Sequence, residues 1–174
     1  MKNGLRLLFT KQQIDDAIDR IVEKLCDDKE LGKDFVVLCV LKGAFIFCAD
    51  LVRQLPMIPQ IDFIRVQSYE NDRSTGTIKW LLKPSVELAG KNVLIVEDIV
   101  DTGSTIYFLR KELKKKYEVQ NVKIATLLWK SNATVKGVTP EYYGLQCPNK
   151  YVIGYGLDSK DRMRHLPQIY YMEK

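Results

Sequence analysis

Apolar residues recur with a helical period near the start of the chain. Ile14, Ala17, Ile18, Ile21, Val22 and Leu25 fall at i, i+3, i+4, i+7, i+8 and i+11, which gives one apolar face. Thr10, with Gln13 three residues on, reads as a capping box, and Asp27, Asp28 and Gly32 end the element. The pattern then changes. Phe35 to Leu41 is apolar without alternation, the signature of a central strand covered on both faces. Lys42-Gly43 breaks it, and Ala44 to Leu55 reads as a helix stopped before Pro56. Ile61 to Tyr69 alternates in part around Asp62, Arg65 and Gln67, which predicts a strand nearer a sheet edge. Glu70 to Gly76 is polar and reads as a loop, with Thr77 to Leu82 a candidate antiparallel partner strand.

Val93 to Val96 is another buried strand, entered from the turn Ala89-Gly90-Lys91-Asn92. Thr105 to Tyr117 predicts a helix with Ile106, Leu109 and Leu113 inward. Lys114, Lys115 and Lys116 fall in its last turn, where they complement the helix dipole. Val122 to Trp129 and Tyr151 to Tyr155 are the remaining strands. No repeat, low-complexity segment or linker interrupts the chain. Strands alternating with helices predict an α/β fold with a mostly parallel central sheet and flanking helices, in a single domain.

Composition narrows the chemistry. Of 174 residues, 46% are hydrophobic and 28% charged, as in ordinary globular chains. The 27 Lys and Arg exceed the 22 Asp and Glu by a net +5. That excess suits an anionic ligand and, without a basic stripe, does not argue for nucleic acid. One histidine, His165, excludes a two-His zinc helix. Cys26, Cys39, Cys48 and Cys147 show no C-x-x-C spacing and read as reduced thiols of a cytoplasmic protein. Phe35 to Leu41 is the longest uncharged apolar run, well short of the roughly 18 residues that span a bilayer, so no membrane partner is expected. Gly154-x-Gly156 lacks the third glycine of a dinucleotide fingerprint, and no Walker A sequence is present.

The most informative stretch is Val93 to Thr105. A hydrophobic strand runs into Glu97, Asp98 and Asp101, then turns through Thr102-Gly103-Ser104-Thr105 into a helix. Ligands of open α/β sheets bind at the carboxyl ends of strands. Backbone N–H groups at a helix start attract anions, and a glycine lets the backbone approach closely. The Asp101 to Thr105 turn is therefore a candidate phosphate cradle. Glu97 and Asp98 beside it can bind hydroxyls or a hydrated Mg²⁺. A sugar phosphate with free hydroxyls and a metal satisfies both halves.

Val93 to Thr105 resembles the 5-phosphoribosyl-1-pyrophosphate (PRPP) motif of type I phosphoribosyltransferases. Further segments resemble the hypoxanthine-guanine phosphoribosyltransferase branch. These are Leu41-Lys42-Gly43-Ala44, the loop starting Ser68-Tyr69-Glu70-Asn71-Asp72, Lys130, and Tyr151 to Asp158 with Arg164 following. The similarity runs from about residue 35 to 170. It implies Mg²⁺-dependent transfer of phosphoribosyl from PRPP to a purine, with 6-oxopurine bases as acceptors. It also implies a homodimer or homotetramer and a small hood over the core, built from about 145–174 and the N-terminus.

The resemblance also implies roles. Asp101 is the general base or acid near purine N7. Glu97 and Asp98 contact the ribose, and Thr102, Gly103, Ser104 and Thr105 hold the 5-phosphate. Ser104 stands where many relatives have lysine. Lys42 and Gly43 form a pyrophosphate loop, often with a non-proline cis bond, expected here between these two residues. Arg164 contacts pyrophosphate, with Asp161 and Arg162 as alternatives. Lys130, Tyr151, Val152 and Asp158 carry the base pocket. Lys130 offers only donors and so favours a 6-oxo over a 6-amino purine. Tyr151 stands where relatives usually have Phe, and its hydroxyl needs a partner. Glu97, Asp98 and Asp158 are the candidate metal ligands. Ser68 and Tyr69 begin a lid running to Lys79. The competing readings are a xanthine-preferring enzyme, a PRPP-sensing nucleic-acid-binding regulator, and a pyrimidine transferase. Lys130 with the Tyr151 to Asp158 segment stands against the last. Intact Asp101 and the absence of a basic face stand against the regulator.

Overall fold

The computed structural model describes residues 4–69, 77–132 and 137–172. The chain runs β1 (Leu5–Phe9), α1 (Lys11–Asp27), β2 (Phe35–Val40), α2 (Phe45–Gln54), β3 (Gln60–Tyr69) and β4 (Thr77–Leu82). It continues through β5 (Asn92–Val100), α3 (Ser104–Lys116), β6 (Asn121–Trp129), β7 (Tyr142–Gln146), β8 (Val152–Ile153) and β9 (Ile169–Met172). Six strands form the central sheet in the order β4-β3-β2-β5-β6-β7. β3, β2, β5, β6 and β7 are mutually parallel, and β4 closes the edge antiparallel to β3. Cys39 is level with both Phe63 and Val96, so the carboxyl ends of β2 and β5 emerge side by side.

Each central strand is apolar on both faces because each face carries a core. Val37, Cys39, Leu94 and Val96 pack under α1 and α2, while Val36, Leu38, Val93 and Ile95 pack under α3. The predicted inward faces hold. Ile14, Ala17, Ile18, Ile21 and Leu25 of α1 are buried, as are Ile106, Leu109 and Leu113 of α3. Truncating one such Ile or Leu to Ala costs about 2–5 kcal/mol. The capping box forms: Gln13 N–H donates to Thr10 Oγ1 at 3.2 Å, and Thr10 N–H donates to Gln13 Oε1 at 2.9 Å.

Asp28 caps the far end of α1 and ties it to two strands. Lys123 on β6 donates to its carboxylate at 2.6 Å, and the Tyr142 hydroxyl on β7 donates to the same oxygen. Burial raises the Asp28 carboxyl, but these hydrogen bonds outweigh it and hold the group well below the usual carboxylate range. The tie fixes the end of the sheet opposite the strand ends that carry the candidate site.

A second sheet, in the order β1-β9-β8, joins the two ends of the described chain. β1 runs antiparallel to β9, and β9 antiparallel to β8. The predicted strand Tyr151 to Tyr155 shortens to β8, because Gly154, Tyr155 and Gly156 all adopt positive φ, at 94°, 51° and 96°. A Cβ on Gly154 would lie 2.1 Å from the Gln168 carbonyl oxygen, so this turn needs its glycine. On β3, Asp62 is buried and accepts bonds from Ser85 N and Oγ at 2.6 and 3.1 Å, while Ile61 and Phe63 stay 41% and 46% exposed. Among the described residues, no helix is long and apolar enough to cross a membrane.

Candidate active site

The carboxyl ends of β2 and β5 bring the predicted phosphate and acid segments together. β5 extends beyond Val96, so Glu97 and Asp98 lie on the strand. Asp98 Oδ1 accepts from Ile99 N–H at 2.8 Å, which turns the carboxylate back along the backbone. Its other oxygen packs against Gly43: a Cβ there would fall 1.7 Å from Asp98 Oδ2. On the other side of the loop, a Cβ on Gly156 would fall 2.1 Å from the Gly43 carbonyl oxygen. Three segments thus interlock through two glycines. The cis peptide bond lies between Leu41 and Lys42, one bond before the expected Lys42–Gly43 position. The chain turns directly after Leu41, whose N–H still bonds Ile64 O at 2.8 Å.

These segments border a cavity of about 380 Å³ lined by Lys42, Gly43, Arg65, Glu97, Asp98, Thr105, Asp158, Asp161 and Arg164, among others. Charged side chains cross-link its rim. Lys42 Nζ pairs with Asp161 Oδ1 at 2.8 Å. Arg164 Nη2 pairs with Asp158 Oδ1 at 2.7 Å, and Nη1 donates to Gly156 O at 2.7 Å. Of the alternatives to Arg164, Arg162 lines neither this cavity nor the smaller one described next, and Asp161 enters through its ion pairs. Arg65 looked like an ordinary polar position of an edge strand, and nothing local distinguishes it.

A smaller cavity of about 80 Å³ adjoins the first, sharing Glu97 and Thr105. Asp101, Thr102, Gly103 and Ser104 complete one side of it. Gly103 is the N-cap of α3 at φ 78° and offers no capping side chain, so Asp101 does not serve as the cap. Thr102 Oγ1 accepts from Ser104 N–H at 3.4 Å and donates to Ser104 Oγ at 3.2 Å, which tightens the turn. The bare helix start leaves first-turn N–H groups directed at this hollow.

Asp101 meets Lys130 at the end of β6. The Lys130 ammonium lies 2.7 Å from Asp101 Oδ2; Lys130 is buried, and Asp101 is 46% exposed. The Cys147 thiol, unnoticed from sequence beyond being apolar, is close enough to feel both charges. Burial pushes it up to about 11, with Lys130 acting against that and Asp101 with it. Tyr151 is exposed and lines neither cavity, and its hydroxyl donates to Asp158 O at 2.8 Å. Val152 is buried in β8, paired with Tyr171. Ser68 and Tyr69 end the backbone of β3 opposite Ile78 and Thr77. The rest of the expected lid, 70–76, lies outside the described residues.

Glu97 and Asp98 are electrostatically unusual. Burial pushes Glu97 well above the usual carboxylate range, and the adjacent Asp98 adds to the rise. Burial raises Asp98 as well, against hydrogen bonds from Glu97 and from the backbone. Both acids are thus shifted towards the protonated form, and a cation bound between them would favour the charged one. Among the described residues, no three His, Cys, Asp or Glu side chains converge into a metal cage. The donor set is hard oxygen on two adjacent acids. It fits Mg²⁺ held jointly by carboxylate, water and substrate oxygens, which is how that ion is ordinarily bound in phosphate sites.

Comparison with known proteins agrees with this geometry. Residues 8–160 match the Phosphoribosyl transferase domain family. The chain belongs to that phosphoribosyltransferase family. A hypoxanthine-guanine phosphoribosyltransferase of Cricetulus griseus is 44% identical over 162 residues, covering 84% of this chain and 73% of the relative. The human phosphoribosyltransferase domain-containing protein 1 is 43% identical over 165 residues, covering 87% of this chain and 72% of the relative. The crystal structure of a hypoxanthine-guanine phosphoribosyltransferase from Bacillus anthracis superimposes with a TM-score of 0.90 at 35% identity. It covers 97% of this chain and 98% of that one. The mostly parallel sheet with flanking helices is thus the type I phosphoribosyltransferase fold.

Proposed function

We propose that this chain is a purine-salvage enzyme that transfers the 5-phosphoribosyl group of PRPP to N9 of hypoxanthine or guanine, giving IMP or GMP and pyrophosphate. The contact that carries the reading is Lys130 against Asp101 beside the bare start of α3. A 6-oxopurine in its N7–H form presents an acceptor, O6, beside a donor, N7–H, whereas adenine offers an amino donor in place of O6. A lysine beside a carboxylate suits the first pattern: Lys130 donates to O6 and Asp101 accepts the proton of N7–H. Relatives of the same fold bearing the hypoxanthine-guanine name add to this reading.

In the reaction, the N9–C1′ bond forms as the bond from C1′ to the pyrophosphate oxygen breaks. The electron pair leaves with pyrophosphate, and the N7 proton passes to Asp101. Positive charge gathers on the ribose in the transition state, where Glu97 and Asp98 oppose it and hold the ribose hydroxyls. The Thr102 to Thr105 turn binds the 5-phosphate by backbone N–H groups, so Ser104 serves without a lysine's charge. The Lys42–Gly43 loop and Arg164 bind pyrophosphate. Tyr151 stacks on the purine, Val152 meets the base edge, and Asp158 faces the 2-amino side. Mg²⁺, when bound through Glu97, Asp98 and Asp158, supplies charge neutralisation on the leaving diphosphate. Ser68 and Tyr69 begin a lid that excludes water from the oxocarbenium-like centre.

The working form is a homodimer or homotetramer in the cytoplasm, with β1, β8 and β9 as the hood. Ile61 and Phe63, exposed two residues apart on β3, and Phe45, exposed at the start of α2, offer apolar surface suited to a second copy. A hypoxanthine phosphoribosyl transferase of Trypanosoma cruzi, TM-score 0.90 at 34% identity, has itself been studied for the role of its C-terminal region in oligomeric state. The deciding experiment follows absorbance change and pyrophosphate release with PRPP, Mg²⁺ and each of hypoxanthine, guanine, xanthine and adenine. Turnover of the first two is expected. Turnover of xanthine alone shifts the reading to a xanthine-preferring enzyme, and no turnover of any base overturns it.

A further inference from the structure

Lys42 and Arg164 approach from different segments and converge on one carboxylate oxygen. Asp161 Oδ1 lies 2.8 Å from Lys42 Nζ and 3.2 Å from Arg164 Nη2. The carboxylate is aimed there by its own backbone. Asp161 N–H donates to Asp158 Oδ2 at 2.8 Å. Reciprocal bonds between Ser159 and Arg162, at 3.1 and 3.0 Å, close the hairpin around it. Lys160, Asp161 and Met163 all adopt left-handed conformations, at φ 50°, 58° and 70°. Non-glycine residues seldom do so, and such clusters favour functional sites. Asp161 also lines the larger cavity.

An oxygen bridging an ammonium and a guanidinium is the arrangement a diphosphate oxygen adopts between the same groups. We propose that Asp161 is an internal stand-in for pyrophosphate, which holds Lys42 and Arg164 at the mouth of the site and competes with pyrophosphate for them. This inference rests on the phosphoribosyl-transfer reading. On binding, the diphosphate displaces the carboxylate. On release, the carboxylate reclaims both cations and speeds departure of the product. The side chain of Asp161 is 69% exposed, so solvent screens the pairing and keeps it weak enough to exchange.

The test is calorimetric titration of the intact protein with magnesium pyrophosphate, comparing wild type with Asp161→Asn and Asp161→Glu. Asparagine tolerates the left-handed backbone, so the fold is kept. The Asn variant is expected to bind pyrophosphate about two- to tenfold more tightly, the range for losing a screened ionic competitor. Its dissociation, followed by rapid mixing, should slow in proportion, and the Glu variant should return towards wild type. Unchanged or weaker binding in the Asn variant overturns the proposal, as does a wild type that binds no pyrophosphate. Base transfer is assayed in parallel on wild type. Tighter pyrophosphate binding by Asn without any transfer by wild type would sink the functional reading alone.

Discussion

Lys130 Nζ lies 2.7 Å from Asp101 Oδ2 across the ends of β6 and β5. The group that selects the base and the group that handles its proton therefore touch before a purine arrives. Asp101→Asn removes the acceptor and keeps the shape. It is expected to lower kcat by about 10²–10⁴-fold while the protein stays folded. A steady-state assay with hypoxanthine checks this, and near-native kcat would take Asp101 out of the proton-transfer role.

Selectivity should follow the other partner. Lys130→Gln replaces a charged donor by an amide that can donate to O6 or accept from an amino group. It also leaves Asp101 without its counter-ion. The kcat/KM for hypoxanthine should drop about 10–100-fold, the worth of one charge-assisted hydrogen bond. The preference for hypoxanthine over adenine should narrow at the same time. Equal losses for both bases would show that Lys130 merely positions Asp101.

The sequence made the scaffold legible where one period dominates. The α1 stripe of Ile14, Ala17, Ile18 and Ile21, the unbroken β2 run and the Val93 to Thr105 signature each carry their meaning locally. β1, β7 and β9 escaped because they are short and take their identity from distant partners. Leu5 pairs with Met172, and Tyr142 pairs with Ala125. Asp62 looks polar yet is buried, because Ser85 and Val86 supply its partners from more than twenty residues away. In the candidate site, the motif residues could be named from sequence. The pairing of Lys42 with Asp161 could not, since a left-handed turn creates it.

The buried acid pair should cost stability in return for binding. Folding raises the Glu97 carboxyl above its ordinary range. Its contribution is most favourable below the unfolded pKa and is lost as pH rises through the folded one. Glu97→Gln removes the buried charge while keeping a hydrogen bond to Asp98. Its Tm should therefore exceed wild type at about pH 8, by about 2–4 °C per kcal/mol relieved, and the two should converge towards about pH 5. PRPP affinity should fall at every pH. Scanning calorimetry across that range checks the sign, and a pH-independent difference would refute the account.

The interlocked glycines make the sharpest separation between binding and folding. A methyl on Gly43 would sit 1.7 Å from Asp98 Oδ2, so Gly43→Ala must push that carboxylate out of position. The obstacle is a side chain that can swing aside. Stability should hold within about 1–2 kcal/mol, while the KM for PRPP rises at least about tenfold. Gly156→Ala meets the Gly43 carbonyl oxygen at 2.1 Å and also forces alanine to φ 96°. Backbone cannot swing aside, so this variant should lose about 2–4 kcal/mol and much of its activity. Gly90→Ala is the control, with φ 70° and open space around the new methyl. It should lose about 1 kcal/mol through backbone strain alone and keep wild-type kinetics. Denaturant melts and PRPP saturation curves on the three variants order them. A Gly43→Ala enzyme with unaltered PRPP affinity would show that the close approach of Asp98 to the loop has no part in binding.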